Sequence, residues 1–108
     1  MYTYRAQVVR VVDGDTMAFS VDLGLDVRIN LTVRIYGIDT PEMGTVEGRE
    51  AKAEAQRLMP VGSEVVLTTV KDRREKYGRY LGLITLPGGA DYQKMMVSGG
   101  FARAVEWH

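Results

Sequence analysis

The first third of the chain is patterned as strands. Residues 4–12, which end in a largely apolar run at 8–12, and residues 16–23 read as paired strands, and they meet at Asp13-Gly14, a strong two-residue hairpin signal. Gly24-Leu25-Asp26 punctuates the next connection. Residues 27–38 supply a third strand, in which Val33 and Ile35 alternate with Thr32, Arg34 and Tyr36, so Arg34 points away from the apolar face. Three sequential strands with short turns predict a meander with one hydrophobic side. From Glu47 the period changes: Ala51, Ala55, Leu58 and Met59 follow helical spacing, Glu50, Lys52, Glu54 and Arg57 form a solvated face, and the helix is expected to stop near Pro60. Residues 64–70 return to β alternation through Val65, Leu67 and Thr69, and residues 80–86 make a fifth strand before Pro87-Gly88-Gly89. Asp91 is placed to cap a short helix whose Tyr92, Met95 and Met96 face inward, with Gly99-Gly100 as its stop.

Charged groups gather where strands end. After Ile38 the chain breaks at Asp39-Thr40-Pro41-Glu42, because proline donates nothing to a ladder and biases the residue before it away from helix. Two carboxylates and Arg34 thus emerge from one strand end, where a rigid element fixes charges and a loop leaves room for a ligand. Asp15 opens the second strand close to the Asp13-Gly14 turn, and a meander can bring it beside Asp39. Asp13 is accounted for by the turn itself.

At 108 residues with 45% hydrophobic content, the chain is sized for one domain over residues 1–108. It has no cysteine, which excludes a disulfide framework and a thiolate metal site. Residues 1–5 lack the features of a signal peptide and no apolar run is long enough to span a membrane. A chain complete as given is therefore expected to stay in the cytoplasm of the cell that makes it, with no membrane partner, in a bacterial or phage setting. Formal net charge is zero, which argues against a broad nucleic-acid footprint. Locally, however, Lys71, Arg73, Arg74, Lys76 and Arg79 outnumber Asp72 and Glu75 by three, so a phosphate-facing field is concentrated there.

Three segments carry a resemblance. VDGDT at residues 12–16, VRIYGIDTPE at residues 33–42 and EKYGR at residues 75–79 occur in that order, and each resembles a signature segment of the staphylococcal nuclease (thermonuclease) family. The resemblance covers residues 4–105. It implies an α+β fold, a five-stranded OB-fold β-barrel with one helix between strands 3 and 4 and a short helix near the C-terminus, and the strand count read from the pattern agrees. It also implies that Asp15, Asp39 and the backbone carbonyl of Thr40 bind Ca2+, an all-oxygen set suited to a hard cation. Glu42 resembles the family's general base, which orients or deprotonates water. Arg34 and Arg79 match two arginines that contact the reacting phosphate, a task suited to the planar, always-charged guanidinium. Lys76 and Tyr77 resemble residues that hold a neighbouring phosphate, and Gly78 lets the backbone turn Arg79 toward the site.

The function implied is that of a monomeric, calcium-dependent nuclease that hydrolyses DNA and RNA phosphodiesters with little sequence preference and leaves 3'-phosphate ends. Single-stranded or locally unpaired substrate is preferred. The alternative is a non-catalytic OB-fold module that grips single strands, and the complete set Asp15, Arg34, Asp39, Glu42 and Arg79 argues for the enzyme. A protein-interaction domain would need an exposed apolar patch that the pattern does not reveal. Two departures from the family stand out: Glu106 and His108 occupy positions where it carries tyrosines, and the sequence given ends before its further C-terminal helix. His108, the only histidine, is terminal and is not expected to be catalytic.

Overall fold

The computed structural model describes residues 2–74 and 79–106. In chain order the elements are β1 (Thr3–Asp13), β2 (Thr16–Asp22), β3 (Arg28–Ile35), β4 (Ile38–Asp39), α1 (Val46–Leu58), β5 (Glu64–Arg74), β6 (Tyr80–Thr85), α2 (Tyr92–Ser98) and β7 (Arg103–Ala104). Five of the strands close a barrel in the order β1-β2-β3-β6-β5, which with the two helices is an OB-fold. Every barrel pairing is antiparallel except β3 with β6, which run parallel from Val33↔Tyr80 to Ile35↔Gly82.

Alternation explains the interior. Val8, Phe19, Val21, Val33, Ile35, Leu67 and Ile84 point inward and are sealed from solvent, with Ala51, Ala55 and Met59 of α1 and Tyr92 and Met96 of α2 packed against them. Burying one such large side chain stabilises the fold by about 1.5–3 kcal/mol. Met95, expected inside, is exposed instead. The reason is that the inward stripe of a seven-residue helix is narrow, and Tyr92 and Met96 fill it.

The third strand is shorter than its pattern suggests. It ends at Ile35, Gly37 takes the left-handed backbone (φ 85°), and Ile38 and Asp39 leave the barrel to pair with β7 as Ile38↔Ala104 and Asp39↔Arg103. This departure swings Asp39 out over the barrel end where β2 begins. In the other direction, β5 continues to Arg74, beyond the expected end at residue 70.

The link from β4 to α1 is tied down by its cap. Thr45 accepts the Gly48 N–H on Oγ1 (3.0 Å), and its own N–H (3.0 Å) and hydroxyl (2.6 Å) both donate to the Glu42 carbonyl. A Cβ at Gly48 would stand 1.9 Å from that same carbonyl oxygen, so only glycine lets the first turn of α1 lie this close to residues 41 and 42. No helix among the described residues is long and apolar enough to cross a membrane.

Candidate functional site

The site is assembled where three strand ends meet: the β1–β2 turn, the end of β3 and the end of β4. The turn is shaped locally, since Asp13 accepts the Asp15 N–H on Oδ1 at 3.0 Å, an Asx-type closure. Its Gly14 is wedged tightly, because a Cβ there would lie 2.7 Å from Thr40 Cγ2 and 3.0 Å from Ala51 Cβ. Behind it, the buried Tyr92 phenol donates to the Gly14 carbonyl at 2.5 Å and ties α2 to the turn. Burial, followed by the Asp15 and Asp13 charges, pushes that phenol up, so it stays a donor.

Held in this way, Asp15 enters a dense polar cluster. Its Oδ2 accepts the Thr40 N–H at 3.0 Å and lies 3.3 Å from Arg34 Nη2, while its Oδ1 accepts the Thr16 hydroxyl at 3.3 Å. Burial alone would raise the Asp15 carboxyl, but its hydrogen bond with Asp13, the Thr40 amide and Arg34 together hold it below the ordinary value. Asp13 takes the opposite shift: burial first, then the Asp15 side chain, pushes it up to about 6. The pair therefore shares its charge unequally, with Asp15 the ionised member.

Arg34 is buried, although strand alternation places it on the polar side. Its Nη1 donates to the Ile35 and Ile38 carbonyls at 2.7 and 2.9 Å, across the kink that separates β3 from β4, and its Nη2 bonds to Asp39 Oδ1. Nη2 thus lies between Asp15 and Asp39, and the two carboxylates converge on it. Removing Arg34 would leave the buried Asp15 carboxylate without this cation, which costs far more than a surface pair contributes. Arg79 joins from the start of β6, its Nη1 donating to Thr16 Oγ1 at 3.3 Å.

Of the residues singled out in the sequence, the fold therefore brings together Asp15, Arg34, Asp39, Thr40 and, through Thr16, Arg79. Thr40 reaches Asp15 through its backbone N–H. Glu42 lies two residues beyond Thr40 and is exposed; its backbone carbonyl is pinned by Thr45. Lys76, Tyr77, Gly78 and His108 fall outside the described residues. Sequence reasoning passed over Thr16, Tyr92 as a tie to the turn, and Arg103, whose Nη2 lies 3.8 Å from Asp39 Oδ2. Only Thr16 had a local signal, its place directly after Asp15.

Comparison with known proteins places the chain in a family. A family model described as staphylococcal nuclease homologue matches residues 32–108. The chain belongs to the staphylococcal nuclease homologue family. Its similarity to an uncharacterized endonuclease of Escherichia coli O157:H7 is 33% identity over 100 residues, covering 93% of this chain and 60% of that protein. A micrococcal nuclease of Shigella flexneri is 31% identical over 113 residues, covering 97% and 60%. The SPbeta prophage-derived endonuclease YokF of Bacillus subtilis (strain 168) is 31% identical over 102 residues, covering 89% and 32%. The chain thus spans 60% of the length of the first two relatives. As a staphylococcal nuclease homologue it carries the polar cluster inside the matched region, Asp13, Asp15 and Thr16 excepted, which lie ahead of residue 32.

Proposed function

We propose that the chain folds as a single domain and is a calcium-dependent nuclease, cleaving DNA and RNA phosphodiesters with little sequence preference and leaving 3'-phosphate ends. The observation that carries this reading is the convergence of Asp15 and Asp39 on the Arg34 guanidinium, with Arg79 joined to the same cluster through Thr16. Relatives named as endonucleases and a micrococcal nuclease support it.

The donor chemistry fits a hard divalent cation: carboxylate oxygens of Asp15 and Asp39, with the Thr40 carbonyl as a further candidate, and no sulfur or imidazole among them. No cluster of three or more acidic, histidine or cysteine side chains suited to a metal occurs among the described residues, so solvent would complete the shell. When bound there, calcium supplies positive charge at the phosphate and lowers the pKa of water. Arg34 and Arg79 each present a planar fork to phosphate oxygens, and their stabilisation grows as charge builds in the transition state. For Arg34 this requires Nη2 to leave Asp15 and Asp39, which becomes cheap once those carboxylates are neutralised otherwise. Glu42, exposed at the rim, takes the proton of the attacking water, and the Thr45 and Gly48 contacts fix its backbone. Lys76 and Tyr77 hold the adjoining phosphate.

One observation favours the alternative, a non-catalytic module for single strands. Arg34 already stands between the carboxylates, as a purely structural counter-ion would. Cleavage of a labelled single-stranded oligonucleotide in calcium separates the two. The nuclease cuts, whereas the binding module retards the oligonucleotide without shortening it.

A further inference from the structure

The Asp39 carboxylate faces two ways. Its Oδ1 meets Arg34 inside the cluster, and its Oδ2 looks toward Arg103 at 3.8 Å. Alongside lies a cavity of about 340 Å3 lined by Asp39, Thr40, Pro41, Phe101, Ala102 and Arg103. That volume falls within the range of about 300–1,000 Å3 common for small-molecule sites.

The rim is built on backbone bonds. The β4–β7 pairing sets Arg103 opposite Asp39, and the Phe101 and Ala102 N–H groups both donate to the Met96 carbonyl, at 2.9 and 3.1 Å. The lining combines an apolar wall with the Asp39 carboxylate and one cation. Pro41, Ala102 and half-buried Phe101 supply the wall, and the Arg103 side chain, 78% exposed, supplies the cation. Against the Asp39 charge alone an anion would be repelled; Arg103 offsets it at the mouth. A flat, mostly apolar body with a phosphate attached matches such a surface, because aromatic side chains take bases or sugars on their faces and guanidinium takes phosphate oxygens.

We propose that this cavity is a nucleotide subsite continuous with the polar cluster. Phe101 and Pro41 receive the base and sugar of a nucleotide next to the phosphodiester at Arg34, and Arg103 receives that nucleotide's outer phosphate. The identity of the occupant rests on the nuclease reading. The cavity and its cation do not.

The test is equilibrium binding, in calcium on the Glu42→Gln background, of labelled dithymidylate, which has one internal phosphodiester, and trithymidylate, which adds a second. Arg103→Gln should weaken trithymidylate about fivefold, the scale of one exposed charged contact, and leave dithymidylate within about twofold. Ala102→Leu, which fills the cavity without changing charge, should weaken both. Thermal melting checks the fold of each variant, and if Ala102→Leu does not fold, the exposed Arg103→Gln decides alone. The proposal is overturned if Arg103→Gln weakens both lengths equally or neither, or if a folded Ala102→Leu binds both like the parent. Should Arg103→Gln show this length dependence while the unmutated protein never cuts, the nuclease reading falls and the subsite stands. Should it cut while Arg103→Gln leaves the length dependence unchanged, the subsite falls alone.

Discussion

At the scale of single residues, Asp13 and Glu42 have opposite circumstances. Asp13 keeps a carboxyl that burial and Asp15 push up to about 6, while its Oδ1 closes the turn on the Asp15 N–H. A raised acid binds its proton more tightly folded than unfolded, so its contribution is favourable at low pH and is lost as pH rises through about 6. Asp13→Asn keeps the acceptor and removes the charge. In chelator it should raise the melting temperature at pH 7, and the gain should shrink between pH 6 and pH 4; equal melting temperatures at pH 7 would contradict the burial argument. Glu42 is exposed, and the role proposed for it lies in chemistry rather than folding. Glu42→Gln should leave melting and oligonucleotide affinity unchanged while single-turnover cleavage falls about 10²-fold or more, the scale of general-base catalysis. A variant that cuts as fast as the parent, with chemistry limiting, would remove Glu42 from its assigned role.

At the scale of elements, the contacts that position the site are close approaches made possible by small residues. Gly48 lets α1 rest on the Glu42 carbonyl, so Gly48→Ala, harmless to an isolated helix, must displace residues 41 and 42. It should cost about 1–3 kcal/mol in denaturant unfolding, the usual penalty for overpacking, and also slow turnover. An unaltered unfolding midpoint would show that the loop yields freely. Tyr92→Phe leaves the buried Gly14 carbonyl without its donor and should cost about 1–3 kcal/mol by the same measurement.

These contacts also mark where the sequence stops being readable. The Asp13-Gly14 hairpin and the Asp39-Thr40-Pro41 break are local signals, and they placed Asp15 and Asp39 at strand ends correctly. Strand alternation gives the face of Arg34 but not what covers it, so the burial of Arg34 among Asp15, Asp39 and two carbonyls was out of reach. The pairing of β4 with β7 and the tie from Tyr92 to Gly14 join segments far apart in the chain. No periodicity encodes them. Met95 was misplaced for a related reason, since spacing allows three inward positions on α2 and the packed barrel accepts two.

At the scale of the whole molecule, a neutral chain presents its cations locally, in the cluster and in the segment around Arg79. Binding to single strands should therefore depend on salt with a slope that implies fewer than about five phosphate contacts, at roughly 0.7 per contact. A steeper slope would mean a footprint wider than the site described. The closed barrel fixes the strand ends that carry Asp15 and Arg34, and the β4–β7 pair sets Asp39 against them, which is why a small domain can hold two carboxylates around one guanidinium. Whether that cluster serves cleavage is most directly tested with a 5'-labelled single-stranded oligonucleotide, incubated with the protein in calcium and in excess chelator, and with Asp15→Asn as control. The nuclease account predicts shortened products ending in 3'-phosphate in calcium, none in chelator and none with the folded variant. An oligonucleotide that is bound in calcium but stays intact, or one that is cut equally well in chelator, would contradict it.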